Sequence, residues 1–569
     1  MFIFTARDRE YAEWTTEPAF PGTLDPAARK LLTGDSINSK GRIIHPSPSR
    51  TDGSIPGVLC ISRGSHGRKG KRLLYTCVPF SRDLPVFLVP YAPKKASFTK
   101  CPSDLYILFK LDAWEGKHPH GISTQTLGPV SSLPATYEYL AHSYSVHVPI
   151  QRLTRAAFNA IREHPSGARG LELELEQTAP DHSGGLPQLV TIDPEGATDL
   201  DDAIGASTTV DGGFKVAIAI TDPSYWLDRL GLWDHLTNKV ATLYFPGGKK
   251  PMLPGAALSD GLCSLKAGHV RPCLVLVVDL GPDGKPNAER LTWTRCAVRT
   301  NEIYESPSLL GSRAYKVLAE ATAAASRCTR LMGDILDSHD VVAFWMTWFN
   351  LVAARKLDTL RTGIFRTAPP TARVDPPTGG VSVPASTLRV RRFWGKGGGT
   401  YTLWEDREAH GGIGEGNMVY AQATSPIRRV VDLVNVLCLL NGSGIRSSSS
   451  KAMAFASTWL ERVPEIQRYT RAAQRVQSKC ELLHLCCAAM EEGETEFDGY
   501  PIREEDSTST SGGTRYLVHV PRLQNLVRVN AQAPLALMER VRLKLHLFLD
   551  ESVMCRKVRV SVLAEGVLS

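Results

Sequence analysis

The chain has 569 residues, 43% of them hydrophobic, enough for roughly three to four domains with ordinary cores and too apolar for global disorder. Its net charge of +8, from 66 basic against 58 acidic residues, is a mild excess that favours a polyanionic partner without proving one. Twelve scattered cysteines with no CxxC and one adjacent pair, Cys486-Cys487, exclude a zinc framework or disulfide scaffold; together with the absence of any membrane-length apolar run or secretory signal, they predict an intracellular, cytoplasmic protein with no membrane partner.

Residues 1–85 hold short apolar runs around a basic loop at residues 63–72, the pattern of a small β-barrel able to touch phosphates or of a merely solvated loop. A second barrel is expected over residues 86–155, from strands around Phe87, Leu105 and Trp114, with helix-like connectors at 134–145 and 153–163 and a polar stretch at 164–185.

Residues 189–204 open a large central unit spanning 156–500. Apolar residues that read as buried strand enclose Asp193, Asp199, Asp201 and Asp202. At about 6 Å and an effective dielectric near 20, each like-charge pair costs roughly 3 kcal/mol, so a bound cation is the natural remedy. If Asp199-Leu200-Asp201 is extended, both carboxylates share one face and Leu200 enters a core, while Asp193 folds back across a Pro194-Glu195-Gly196 turn. All-oxygen ligation suits Mg2+ or Mn2+ and phosphoryl chemistry. The calcium-loop pattern fails, because Ala203 and Ile204 stand where an oxygen ligand and a glycine are needed. A solvated acidic turn is the plain alternative.

Further along, residues 216–220 form a strand with small alternate residues, and helical patterns run from 313 to 360, with a core helix around residues 344–354. Residues 367–400 read as a flexible Pro/Gly-rich loop carrying Arg389, Arg391, Arg392 and Lys396; the run around Lys396 lacks the glycine and Ser/Thr of a P-loop. In Thr424-Ser425-Pro426-Ile427-Arg428-Arg429, Ser425 is a good N-cap and Pro426 a good first helical residue. Two arginines in a first turn oppose the helix dipole unless an anion binds there. The alternative is a surface pair between Arg428 and Asp432, worth about 0.3–0.5 kcal/mol. From about residue 500 the chain returns to alternating strands with basic outer faces, as in an OB-type barrel.

These stretches resemble the RNB family, the ribonuclease II and ribonuclease R exoribonucleases. The resemblance rests on the aspartate run, on Thr424 to Arg429, and on Tyr244-Phe245-Pro246-Gly247 with Pro251-Met252-Leu253-Pro254 and Leu258-Ser259-Asp260-Gly261-Leu262-Cys263-Ser264-Leu265 between them. It implies a multidomain α+β fold: cold-shock-type OB barrels at 1–85 and 86–155, a mixed α/β catalytic domain at 156–500 and an S1-like OB barrel at 501–569. It further implies a monomer that hydrolyses single-stranded RNA from the 3′ end with Mg2+, or Mn2+, releasing nucleoside 5′-monophosphates. Asp193, Asp199, Asp201 and Asp202 would hold metal and water, with Asp201 the most sensitive to substitution. Arg428 would stabilise charge on the scissile phosphate, Tyr244 would clamp a terminal base, and Thr424, Ser425 and Arg429 would contact RNA. Val430 and Val431 stand where the family often has an aromatic residue and a proline, a following His-Arg pair is absent, Ala219 is of the ribonuclease II type, and Gln474 or Gln477 replaces a helix glutamate. These departures bear on rate and end product, and they motivate the alternative of a catalytically weak or inactive RNA-binding protein. Residues 98–100 and 135–140 also resemble RNB proteins of large DNA viruses.

Overall fold

The computed structural model describes residues 1–51, 54–92, 103–329, 331–332, 335–367, 383–394, 399–409, 419–505 and 513–563. Residues 98–100 and the glycine-rich run 395–398 with Lys396 lie outside them.

The first four strands, β1 (Phe2–Ala6), β2 (Trp14–Glu17), β3 (Ser36–Ile37) and β4 (Ile43–His45), form an open sheet in the order β2-β1-β3-β4. A single turn of helix, α1 (Pro48–Thr51), leads into β5 (Ile55–Leu59), β6 (Ser65–Lys69), β7 (Arg72–Pro79), β8 (Phe87–Tyr91), β9 (Leu105–Ala113) and β10 (His120–Pro129). Here β5 pairs with both β7 and β9, and β8 pairs in parallel with β10, which closes a barrel in the OB order. The expected boundary at residue 85 therefore falls inside one barrel, between the hydrogen-bonded strands β7 and β8. The reason is packing: Ile55, Leu59, Tyr75 and Cys77 share a core with Phe87, Val89, Ile107 and Phe109, so the apolar runs on either side of residue 85 cannot be separated. The basic loop is the β6–β7 hairpin.

Helices α2 (Leu133–Ser143) and α3 (Gln151–Glu163) follow, and the stretch expected to be a polar connector folds as α4 (Gly167–Thr178). Its Leu171 and Leu175 join the central core, and Glu172 buries itself against Arg271 Nη1 at 2.6 Å.

The central unit is built on β11 (Val190–Asp193), β12 (Asp202–Thr208), β13 (Phe214–Thr221), the hairpin β14 (Leu243–Phe245) and β15 (Gly248–Lys250), then β16 (Val270–Leu280), β17 (Pro286–Ala297) and β18 (Thr300–Ile303). Its six-stranded sheet has the order β17-β16-β13-β12-β11-β18. Both faces of β13 and β16 are covered, so neither strand alternates with polar residues. Ile218 stands beside Leu276 on the helix-covered face, while Ala217 and Ala219 face a smaller core with Val275, Val277 and Leu200. The small alternate residues fit that thin second layer.

The helices are α5 (Pro223–Arg229), α6 (Pro307–Gly311), α7 (Arg313–Thr329), α8 (Ser338–Leu360), α9 (Ala385–Trp394), α10 (Val430–Gly442), α11 (Ser450–Glu461) and α12 (Val463–Glu491), with a short ribbon of β19 (Ile364–Thr367) and β20 (Thr400–Leu403). Phe344, Trp345 and Phe349 of α8 are fully buried, at roughly 1.5–3 kcal/mol each, and Trp345 Nε1 donates to Thr322 Oγ1 of α7 at 2.8 Å. Helix α9 lies in the stretch expected to be loop, where Thr387 Oγ1 meets His519 Nδ1 at 2.8 Å and Val390 packs near Ile502 and Leu517.

The last strands, β21 (Glu496–Glu505), β22 (Thr514–Val520), β23 (Asn525–Ala531), β24 (Val541–Asp550) and β25 (Cys555–Val562), run in the order β23-β22-β21-β24-β25, with β23 lying beside β25. This is a second OB arrangement, and it begins at Glu496, ahead of the expected boundary at 501. The described cysteines are all free thiols. Among the described residues no helix is long and apolar enough to cross a membrane.

Candidate active site

A cleft of about 910 Å³ opens where β11 ends and β12 begins, lined by Asp193, Asp199, Asp201, Asp202, Tyr244 and Arg428 among others. The loop between the two strands is pinned from below. Ser264 Oγ accepts from the Leu200 amide at 3.1 Å and donates to the Thr198 carbonyl at 2.8 Å, and the Leu265 amide donates to the Leu200 carbonyl at 3.0 Å. Leu200 is thereby driven into the smaller core. The three flanking aspartates point in different directions.

Asp201 is fully buried and both of its oxygens are used: Oδ1 accepts from the Ile427 amide at 2.8 Å, and Oδ2 from Arg428 Nε at 2.9 Å. Burial pushes its carboxyl up to about 7, against the pull of the Arg428 charge and the Ile427 N–H. Asp193 ends β11 with Oδ2 buried and without a hydrogen-bond partner. Burial raises the carboxyl of Asp193 and also that of Asp202, where the charges of Asp193 and Asp201 add to the rise. Asp199 faces the other way, accepting from Tyr244 Oη at 2.8 Å on Oδ2 and from Lys249 Nζ at 2.7 Å on Oδ1. Among the described residues, the groups of three or more His, Cys, Asp or Glu ligand atoms within 4.8 Å of one another are Glu138/His142/His147 and Glu305/Asp337/His339, so the aspartates do not converge as tightly as a shared extended face implies. The Glu138 group is already joined to Lys250.

The expected helix start at Ser425 is displaced to Val430. Residues 425–429 form a turn whose backbone is drawn to the segment before β14: the Thr242 amide donates to the Arg428 carbonyl at 2.9 Å and the Val430 amide to the Val240 carbonyl at 2.8 Å. The Ser425 amide is capped by Asp432 Oδ1 at 2.9 Å, and the Ile427 N–H, which a helix start would leave for an anion, goes to Asp201. The anion that Arg428 and Arg429 call for is thus protein carboxylate. Arg428 pairs with Asp201, 227 residues away, and not with Asp432; Arg429 takes Asp432 instead, at 2.7 Å. Ser425 Oγ accepts from Arg428 Nη2 at 3.1 Å, and Thr424 lies buried beside Asn350.

Tyr244, 41% exposed, stands at the cleft on the β14–β15 hairpin, whose Pro246-Gly247 turn puts Gly247 at φ +83°, as a type II turn requires. Its backbone amide donates to Gln477 Oε1 of α12 at 2.8 Å, while Gln474 lines a separate groove. That groove, of about 960 Å³ between α12 and the C-terminal barrel, is lined by Arg471, Arg475, Lys479, Arg503, Arg515 and Arg528. Residues not singled out from the sequence also line the cleft: Lys249, Tyr304 and His339, the last two ring-stacked at 3.9 Å. Tyr304 follows β18, which pairs in parallel with β11 only through long-range register, and no local pattern marks it.

Residues 186–306 match the family model for the RNB domain. Exoribonuclease 2 of Klebsiella pneumoniae is 38% identical over 133 residues, 23% of this chain and 20% of that protein, and exoribonuclease 2 of Escherichia fergusonii is 36% identical over the same share. The match thus spans about a fifth of the length of these relatives. Across 99% of the chain the fold is similar to all of Mycoplasma genitalium RNase R, solved in complex with ribose-methylated single-stranded RNA, with a TM-score of 0.63 at 14% identity. It is also similar to yeast Ssd1, a pseudonuclease, with a TM-score of 0.52 at 14% identity over 90% of this chain and 69% of that one. The chain therefore carries an RNB domain at residues 186–306, set within a multidomain α+β fold like that of RNase R.

Proposed function

We propose that the protein is a divalent-metal-dependent exoribonuclease that hydrolyses single-stranded RNA from the 3′ end and releases nucleoside 5′-monophosphates. One arrangement carries this reading: half-buried carboxylates, one with an unpartnered buried oxygen, share a cleft with an arginine held by a fourth carboxylate. The donor set fits a hard cation. Asp193 Oδ2 has no partner, and Asp193 and Asp202 raise the cost of each other's charge, as carboxylates do when their counter-ion is a metal. Asp193 and Asp202, joined by Asp199, would hold Mg2+ or Mn2+, which when bound activates water and neutralises phosphate charge.

The remaining roles belong to the chain. Asp201 is a positioning residue: it fixes the Nε edge of Arg428, and the part of the guanidinium that neither Asp201 nor Ser425 holds would face charge developing on a scissile phosphate. Tyr244, which lines the cleft, would stack on a terminal base. Ser425 steadies Arg428, and Thr424 and Arg429 support that wall of the cleft. The basic groove along α12 offers a sequence-independent track for a phosphate backbone.

The test is digestion of 5′-labelled single-stranded RNA with Mg2+. A ladder or short end product that disappears with Asp201→Asn is the expected result, and RNA left intact under both Mg2+ and Mn2+ overturns the reading. Deoxy-oligomers cut at the same rate would redirect it to a DNA nuclease. The engagement of Asp199 by Lys249 favours one competing reading, an RNA binder with weak or no catalysis; retention of RNA without cleavage in the same assay would establish it.

A further inference from the structure

The β14–β15 hairpin carries two adjacent lysines that point to opposite sides. Lys250 joins Glu138 of α2. Lys249 stands across the hairpin from Tyr244 and enters the cleft, where its ammonium meets Asp199 Oδ1 at 2.7 Å, Asp260 Oδ1 at 2.8 Å and Thr198 Oγ1 at 2.6 Å. An ammonium has three N–H donors, and here all three are used. With Tyr244 Oη on Oδ2, the same hairpin engages both oxygens of Asp199. Asp193 is left in the opposite condition, its Oδ2 buried with no partner. An ammonium thus sits on Asp199 and a guanidinium on Asp201, while Asp193 Oδ2 is bonded to neither.

From this asymmetry we infer that Lys249 is a resident cation competing with the divalent ion for Asp199, so that the hairpin and the ion exclude one another at that carboxylate. The inference rests on the reading that these carboxylates hold a divalent ion, but not on RNA cleavage. A metal drawn to Asp193 and Asp202 reaches Asp199 only by displacing Lys249, whose charge then remains on Asp260. The chain as folded is consequently a weak metal binder that strengthens when Lys249 is neutralised or removed.

Mn2+ titration of the full chain without RNA, followed by electron paramagnetic resonance of the free ion, tests this. Lys249→Met is expected to bind Mn2+ about tenfold more tightly than wild type, the scale on which one nearby charge acts at a partly exposed site. Lys249→Arg, which keeps the charge, and Lys250→Met, which faces away, are expected to stay near wild type. Equal or weaker binding by Lys249→Met, or tightening by Lys249→Arg, overturns the inference. A measurement on the unaltered protein stands beside these: acetylation of Lys249, read by mass spectrometry, should rise when Mn2+ is added, and an unchanged rate overturns the competition. Absence of Mn2+ binding in wild type and variants alike overturns both this inference and the metal-site reading, whereas tightening without RNA cleavage upholds the competition and removes the nuclease reading alone.

Discussion

Lys239 is 5% exposed, with Lys250 nearby, and burial with that second charge brings its ammonium down to about 8; Glu138 opposes the shift. The unfolded chain holds this proton up to about pH 10.5, so between pH 8 and 10.5 it binds more protons than the folded chain. Stability therefore rises with pH across that window, and below pH 8 the cost of burying the charge is present in full. Lys239→Met should stabilise the protein at pH 7 by at most roughly 3 kcal/mol, with the gain vanishing near pH 10.5, as measured by urea unfolding at several pH values. A gain that does not change with pH would mean that packing, and not charge, is responsible. At this scale the sequence is readable only where charge is dense. Four aspartates among apolar residues announce a site by themselves, and two arginines after Ser-Pro announce a need for an anion. Which anion is invisible: Asp201 answers Arg428 only because β12 and the turn after Ser425 meet in space. Lys249 and Tyr304 carry no local mark: Lys249 sits on a local hairpin and meets Asp199 only across fifty residues, and Tyr304 follows a strand paired with the distant β11.

Elements position these residues through a few backbone bonds. Ser264 is fully buried and ties Thr198 and Leu200 together, so the Asp199–Asp202 loop takes its shape from a motif more than sixty residues downstream. Ser264→Ala should cost about 1–2 kcal/mol, the price of one buried amide left without an acceptor, and should lower Mn2+ affinity as Asp199 loses its support. Thermal unfolding together with the metal titration checks this; a stability loss with unchanged metal affinity would mean that the loop holds its shape without the serine. Long amphipathic and core helices such as α7 and α8 are legible from periodicity alone. The start of α10 is not, because a competing bridge between Ala241 and Arg429 takes the backbone groups that a longer helix would use. Local capping preference at Ser425 loses to tertiary pairing.

Over the whole molecule, the two OB barrels meet, with Met554 sharing a core with Val58 and Tyr106, and α12 touches the hairpin, α2 and the C-terminal core. Barrel chemistry is evident in the alternating strands, yet the division between barrels is not, because consecutive apolar runs look alike until register joins β7 to β8. The groove along α12 gathers arginines from α12 and four barrel strands, which explains how a mild overall charge becomes a concentrated basic track. Arg475→Ala with Arg515→Ala should weaken RNA binding and reduce the slope of log affinity against log salt by about 1.4, roughly 0.7 for each lost phosphate contact. Fluorescence anisotropy over a salt series measures it, and an unchanged slope would place the RNA elsewhere.

Helix α12 has 29 residues, about 44 Å of continuous helix. Gln477, which holds the Tyr244 backbone, lies within one turn of Arg475 and Lys479 in the groove. The proposed phosphate track and the proposed base clamp at Tyr244 are therefore tied to one rigid rod and not to a loop. Such a rod is a gauge: if a strand is held at both points, trimming should halt at one defined length, giving a sharp final fragment instead of a spread of sizes.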